Sequence, residues 1–106
     1  MEFRIKPGLL ELIAGITLLK VEGALGIGTR RDHEERAATK KNLAKGIRCQ
    51  ASEEAIQTDL DLLVSYGKDM HEVARAVQRE VAAALESMTG LRVDEVNVNI
   101  VGVTAF

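Results

Sequence analysis

The run from Tyr66 to Phe106 constrains this chain more than any other stretch: YGKDMHEVARAVQREVAAALESMTGLRVDEVNVNIVGVTAF. Tyr66 and Gly67 close a strand. Asp69 and Glu72 then have capping-box spacing, with Asp in place of Ser or Thr. From Asp69 to Met88 the apolar residues Met70, Val73, Ala74, Val77, Val81, Ala84, Leu85 and Met88 form one stripe at helical spacing, while Arg75, Gln78, Arg79 and Glu86 lie off it. Gly90 is placed for a left-handed C-cap. From Arg92 to Val103 the period changes to two. Val96, Val98 and Ile100 take one face; Glu95, Asn97 and Asn99 take the other. A strand–helix–strand unit crosses over right-handed, which makes its second strand parallel to its first. This segment specifies a contact module and carries no catalytic constellation.

Upstream, Pro7 to Val21 reads as a first helix, with proline suited to its first turn. Leu9, Leu12, Ile13, Ile16 and Leu19 fall at helical spacing, and Leu10, Leu18 and Val21 widen the stripe. So wide a stripe implies burial on more than one side. Glycines at 23, 26 and 28 break the helix. Residues 29–45, TRRDHEERAATKKNLAK, hold six basic and three acidic residues and little to bury. Asp32 is placed to cap a short helix, with Glu35 three residues on and Gly46 as its stop. The segment is either a marginal exposed helix or a disordered insert. Beyond it Ile47, Cys49 and Ala51 alternate with Arg48 and Gln50. Ser52, Glu53 and Glu54 mark a turn. Thr58, Leu60, Leu62, Val64 and Tyr66 then face one way, and Asp59, Asp61 and Ser65 the other, with Leu63 the exception. This is a β-hairpin with a half-buried second strand.

The order is α-β-β-α-β. It predicts an α+β fold: a two-layer sandwich with a mixed three-stranded sheet and both helices on one face, distantly like a type II KH topology. At 106 residues the chain is one domain, spanning 1–106, with the charged segment at 29–45 as an insert. Its three aromatic residues, Phe3, Tyr66 and Phe106, leave the core to aliphatic side chains. The expected core comprises Leu12, Ile16, Leu60, Leu62, Val77, Val81, Leu85, Val98 and Ile100. A net charge of −2 gives no global pull toward nucleic acid or anionic lipid. The single cysteine, Cys49, excludes an intramolecular disulfide. No apolar run approaches the ~18 residues that span a bilayer. MEFRIK has no signal-peptide pattern, so a cytoplasmic protein is expected.

Candidate chemistry is sparse. His33 and His71 are the only histidines. His71-Glu72 is no zinc motif, because position 75 is Arg. Cys49 alternates onto the apolar face of its strand, as a small core residue does. Asp59 and Asp61 share a strand face with Asn97 and Asn99, where paired carboxylates suit a cation or acid–base work; a solvated sheet face has the same pattern. Gly23-Ala24-Leu25-Gly26 spells the GxxG of KH loops, although neither central residue is polar. Arg30, Arg31, Arg36, Lys40, Lys41 and Lys45 suit phosphate or lipid headgroups, diluted by three acids and without aromatic platforms for bases.

Three blocks together resemble the alkaline-shock-protein family, small envelope-stress proteins of mostly Gram-positive bacteria. They are IAGITLLKVEGALGIGT at 13–29, KGIRCQASEEAIQTDLDLLVSYG at 45–67, and HEVARAVQREVAAALESMTGLRVDEVNVNIVGV at 71–103. Each is like a family element: a helix ending in a V-E-G-x-x-G turn, a long hairpin closing on Tyr-Gly, and an M-T-G-L helix end followed by a V-N-V-x-V strand. His71 stands where proline is common, Glu53-Glu54 replaces the usual Asp-Gly turn, and the insert at 30–45 has no family counterpart. The resemblance implies a non-catalytic scaffold or adaptor of envelope homeostasis. It would self-associate and lie beneath the membrane through a membrane-anchored partner. No cofactor, metal or nucleic-acid partner is expected, and a KH-like RNA-binding module is the alternative. The expected interaction surface is Leu63, Val101 and Val103, beside Asp59, Asp61, Asn97 and Asn99. It would work as a homo-oligomer contact or a partner docking site, through the sheet face or through the final strand as an open edge.

Overall fold

The computed structural model describes residue 2, residues 4–29 and residues 40–105. The elements are α1 (Leu9–Leu18), β1 (Ala24–Gly26), a 3-10 turn (Ile27–Thr29), α2 (Lys40–Ala44), β2 (Ile47–Ala51), β3 (Ala55–Ser65), α3 (Met70–Thr89) and β4 (Arg92–Thr104). The fold is α+β, as the periodicities predict. The sheet has four strands, because Ala24–Gly26 is a short strand where glycine breakers and a turn were expected. A three-residue strand between glycines is too short to show a period of two.

β3 organises the sheet. Along one edge it pairs in parallel with β4 over its whole length, from Ala55↔Arg92 to Ser65↔Thr104. Its other edge is shared by two antiparallel strands. β2 takes Ile56 to Leu60 and β1 takes Leu62 to Val64. Gly46 and Gly23 extend these ladders: Asp61 N–H donates to Gly46 O and Ser65 N–H to Gly23 O, both at 2.9 Å. Among the described residues β4 is therefore an edge strand, hydrogen-bonded to a neighbouring strand on one side only. Two extra residues bulge from it, Asp94 and Val101, where the register slips between Ile56/Gln57 and Leu62/Leu63.

The core lies between one sheet face and helices α1 and α3. Ile56, Leu60, Leu62 and Val64 of β3 meet Val73, Val77, Val81 and Leu85 of α3 and Leu10, Ile13, Ala14 and Leu18 of α1. Thr58, buried among them, is satisfied by a 3.2 Å contact between its hydroxyl and the Cys49 thiol. Of the expected core, Leu60, Leu62, Val77, Val81 and Leu85 are fully buried, and Val98 and Ile100 pack partly buried against them. Leu12 is half-buried and Ile16 is exposed. The buried side of α1 is rotated from the expected one, onto Leu10, Ile13, Ala14 and Leu18. With leucine or isoleucine on nearly every side, sequence spacing alone could not select the inner face.

Helix α3 starts and stops where its signals lie. Asp69 Oδ1 accepts the N–H groups of His71 (2.9 Å) and Glu72 (3.1 Å), and Gly90, at φ +75°, donates to Glu86 O.

The C-terminal end of the charged segment is seated. Lys40–Ala44 is helical, and its backbone rests directly on Gly15 of α1 and on Gly28. A Cβ at Gly15 would overlap the Leu43 carbonyl, and one at Gly28 the Asn42 carbonyl. Glycine is required at both for want of space. Asp32, His33, Glu35, Arg30, Arg31 and Arg36 lie outside the described residues.

Candidate interaction surface

The sheet face turned away from the helices carries a polar ladder. Register places Asp59 opposite Asn97 and Asp61 opposite Asn99. Asn99 Nδ2 donates to Asp61 Oδ1 at 3.3 Å, and Asn97 Nδ2 donates to Glu95 Oε2 at 3.2 Å. Arg48, opposite Asp59 across the hairpin, reaches Asp61 Oδ1 at 3.4 Å. The four polar residues expected together are thus together, with Arg48 as a fifth member. The hairpin alternation put Arg48 on this face without showing which carboxylate it meets. The guanidinium offsets part of the charge at Asp61, and the two carboxamides donate hydrogen bonds to Asp61 and Glu95. Exposed pairs of this kind add little stability. Among the described residues, no group of three or more His, Cys, Asp or Glu side chains is arranged to hold a metal ion.

The three apolar members of the expected surface are not brought together. Leu63 is 7% exposed. It pairs across β1 with Leu25, and its Cδ2 fills the space where a side chain at Gly102 would sit. Val101 is the bulged residue and is 54% exposed. Because of that bulge, Val103 comes opposite Val64, on the helix side of the sheet. Strict alternation puts Val101 and Val103 on one face; the extra residue moves Val103 to the other. Both remain exposed near the open end of β4.

Helix side chains reach the backbone of the outer strands. Glu86 Oε2 of α3 accepts from Val93 N–H at 3.0 Å, and Gln78 Nε2 donates to Val96 O at 3.1 Å. Glu11 Oε2 of α1 accepts from Cys49 N–H of β2 at 3.1 Å. These residues were missed from sequence, where they show only as polar positions off an apolar stripe. No comparable cap reaches the backbone of residues 98–103 among the described residues. The first half of the β4 edge is covered by helix side chains and the second half is open.

Cys49 is half-buried against the core, as its alternation predicts. Burial pushes its thiol above the ordinary range, the Thr58 hydroxyl opposes that shift, and nearby Glu11 adds to it. His71 is exposed in the first turn of α3. The GxxG at 23–26 is not a loop between helices: Gly23 turns the chain, and residues 24–26 pair with β3. No helix among the described residues is long and apolar enough to cross a membrane.

A small sheet backed by helices, with a polar face and a long edge strand, defines the class as a two-layer α+β domain. The chain belongs to the alkaline shock protein 23 family, described by its cell envelope-related function, whose profile matches residues 1–105. It is 31% identical over 100 residues to the uncharacterized protein YqhY of Bacillus subtilis (strain 168), covering 93% of this chain and 74% of that one. It is 30% identical over 105 residues to the uncharacterized protein Spy1614 of Streptococcus pyogenes, covering 90% and 87%. It is 29% identical over 113 residues to the uncharacterized protein YloU of Bacillus subtilis (strain 168), covering 97% and 94%. No solved structure gives a significant match.

Proposed function

We propose that this protein is a non-catalytic scaffold or adaptor of the cell envelope, cytoplasmic, working by self-association and by docking to a membrane-anchored protein. The observation that carries this reading is the open half of β4. From Val98 to Val103, no strand and no side-chain cap among the described residues covers its outer backbone, and Val101 and Val103 stand exposed there. An edge of this kind accepts a further strand, from a second copy or from a partner segment. The guarded half, held by Glu86 and Gln78, limits where that strand can lie. Family membership supports the envelope setting.

The test is particle size by light scattering across a concentration series, with the membrane fraction of cells probed by crosslinking. Val101→Lys with Val103→Lys places two charges on the open half and should convert an oligomer to monomer while leaving the thermal midpoint nearly unchanged. Leu63 is unsuitable for this test because it is buried. A wild type that stays monomeric at high concentration and crosslinks to no protein defeats the reading.

A further inference from the structure

Helix α1 has no polar side. Leu10, Ile13, Ala14 and Leu18 face the core, and Gly15 is covered by α2. The remaining arc carries Leu9, Leu12, Ile16 and Leu19, of which Leu9, Ile16 and Leu19 are 41%, 41% and 44% exposed. The polar side chains of the helix turn inward. Glu11 binds the Cys49 N–H, and the Thr17 hydroxyl donates to Ile13 O at 2.8 Å. A helix that is apolar all round is ordinarily covered all round.

The surroundings of this ridge are cationic. Arg4 and Lys6 precede it, Lys20 follows it and Lys41 lies beside it, all exposed. A cleft of about 480 Å³ opens at its first turn, lined by Pro7, Leu9 and Leu12 with Arg4, Lys6 and Lys41, and among the described residues no carboxylate lines it. Arg4 pairs with Glu2 at 3.3 Å, with both side chains more than 80% exposed, so that pair is weak. Lys6, Lys20 and Lys41 form no ion pair among the described residues. Glu22, beyond Lys20, is held by Lys68 at 2.8 Å.

We propose that α1 docks on an anionic lipid bilayer, lying in the plane of the headgroups. Leu9, Leu12, Ile16 and Leu19 enter the acyl boundary, and Arg4, Lys6, Lys20 and Lys41 meet lipid phosphates. Apolar residues on one side of a helix with cations around them are what interfacial binding requires. A second copy is a poor occupant, because a two-fold contact sets this ring of cations against itself. An acidic helix from another protein needs a groove, and the cleft serves only Leu9 and Leu12. Ile16 and Leu19 are exposed and lie outside that cleft, an arrangement that suits a soft plane.

The test is flotation of the purified chain with phosphatidylglycerol-containing vesicles and with pure phosphatidylcholine vesicles, at low and high salt. Binding to the anionic vesicles should be about tenfold or more stronger than to the neutral ones, and should fall with salt. Ile16→Glu should lose about tenfold in binding, because it sets a charge and a lost contact at the acyl boundary. Its thermal midpoint should hold, since Ile16 is outside the core. Lys6→Glu with Lys41→Glu is the second arm, altering only exposed groups, and should remove the preference for anionic vesicles. The proposal is overturned if wild type does not float, if it floats equally with both vesicle types, or if both variants float as wild type does. It is also overturned if Ile16→Glu instead dissociates a wild-type dimer or releases a bound acidic protein while no vesicle binds. This assay contains no partner protein and leaves β4 untouched, so its failure is separate from failure of the scaffold reading.

Discussion

Helices α1 and α3 pack on the same sheet face and differ in what they leave outside. α3 buries Val73, Val77, Val81 and Leu85, one per turn, and exposes Arg75, Gln78, Arg79, Glu80 and Glu86. Its polar side completes it: Glu86 and Gln78 even reach round to cap β4. α1 buries Leu10, Ile13, Ala14 and Leu18 and then exposes three more large aliphatic residues. α3 leaves large apolar side chains exposed only in its first and last turns, at Met70 and Met88, whereas α1 and its C-cap expose them from end to end. Folding accounts for the middle of α3 and for only one side of α1, so the apolar ridge along α1 is where a partner surface is to be sought.

The largest effects should come from where the two helices are alike. Leu85 and Leu18 are buried to within 1%. Leu85→Ala and Leu18→Ala should each destabilise by about 2–5 kcal/mol, through lost burial and an unfilled cavity. Denaturant melts check this. A Leu18→Ala loss under about 1 kcal/mol would mean the inner face of α1 is not part of the common core.

Next in size is Gly15→Ala, which separates the helices by backbone space. In an ordinary helix interior this change stabilises by about 0.5–1 kcal/mol. Here the new methyl meets the Leu43 carbonyl, and a loss of about 1–3 kcal/mol is expected. Hydrogen exchange at residues 40–44 should quicken with it. A gain in stability would show that α2 does not rest on α1.

The contrast also marks what could be read in advance. α3 and β4 were legible because their signals are redundant: a cap at Asp69, a stop at Gly90, one stripe, and a parallel pairing that follows from the crossover. β1 was hidden between glycines. The inner face of α1 was hidden by excess, because Leu9, Leu12, Ile16 and Leu19 have the same spacing as a core stripe. The polar ladder of Asp59, Asp61, Asn97 and Asn99 followed from alternation. The apolar part of the surface did not, because one bulge at Val101 changes the face of Val103 and no residue type announces a bulge. The burial of Leu63 depends on Leu25 and Gly102, both distant in sequence.

A smaller effect is expected at the start of α3. Asp69→Ala removes the acceptor for two N–H groups and should cost about 1 kcal/mol, with Asp69→Asn recovering most of it. α1 offers no matching experiment: Gly8 precedes it and no side chain caps it. If Asp69→Ala were neutral, the definition of α3 would rest on packing alone, as that of α1 does.

The smallest effect bears most directly on the comparison. Ile16→Gln changes a residue with the spacing of a core position but 41% of its surface exposed. Glutamine has helix propensity at least equal to isoleucine, so the backbone gives no reason for loss. A change within about 0.5 kcal/mol in denaturant melts is expected. The same substitution at Val81, fully buried on α3, would leave an unpaired amide in the core and should unfold a large part of the population. If Ile16→Gln instead costs as much as a core truncation, the outer side of α1 is covered in the isolated protein and the exposed ridge disappears. If it is neutral, Leu9, Ile16 and Leu19 are apolar for a reason that folding does not supply.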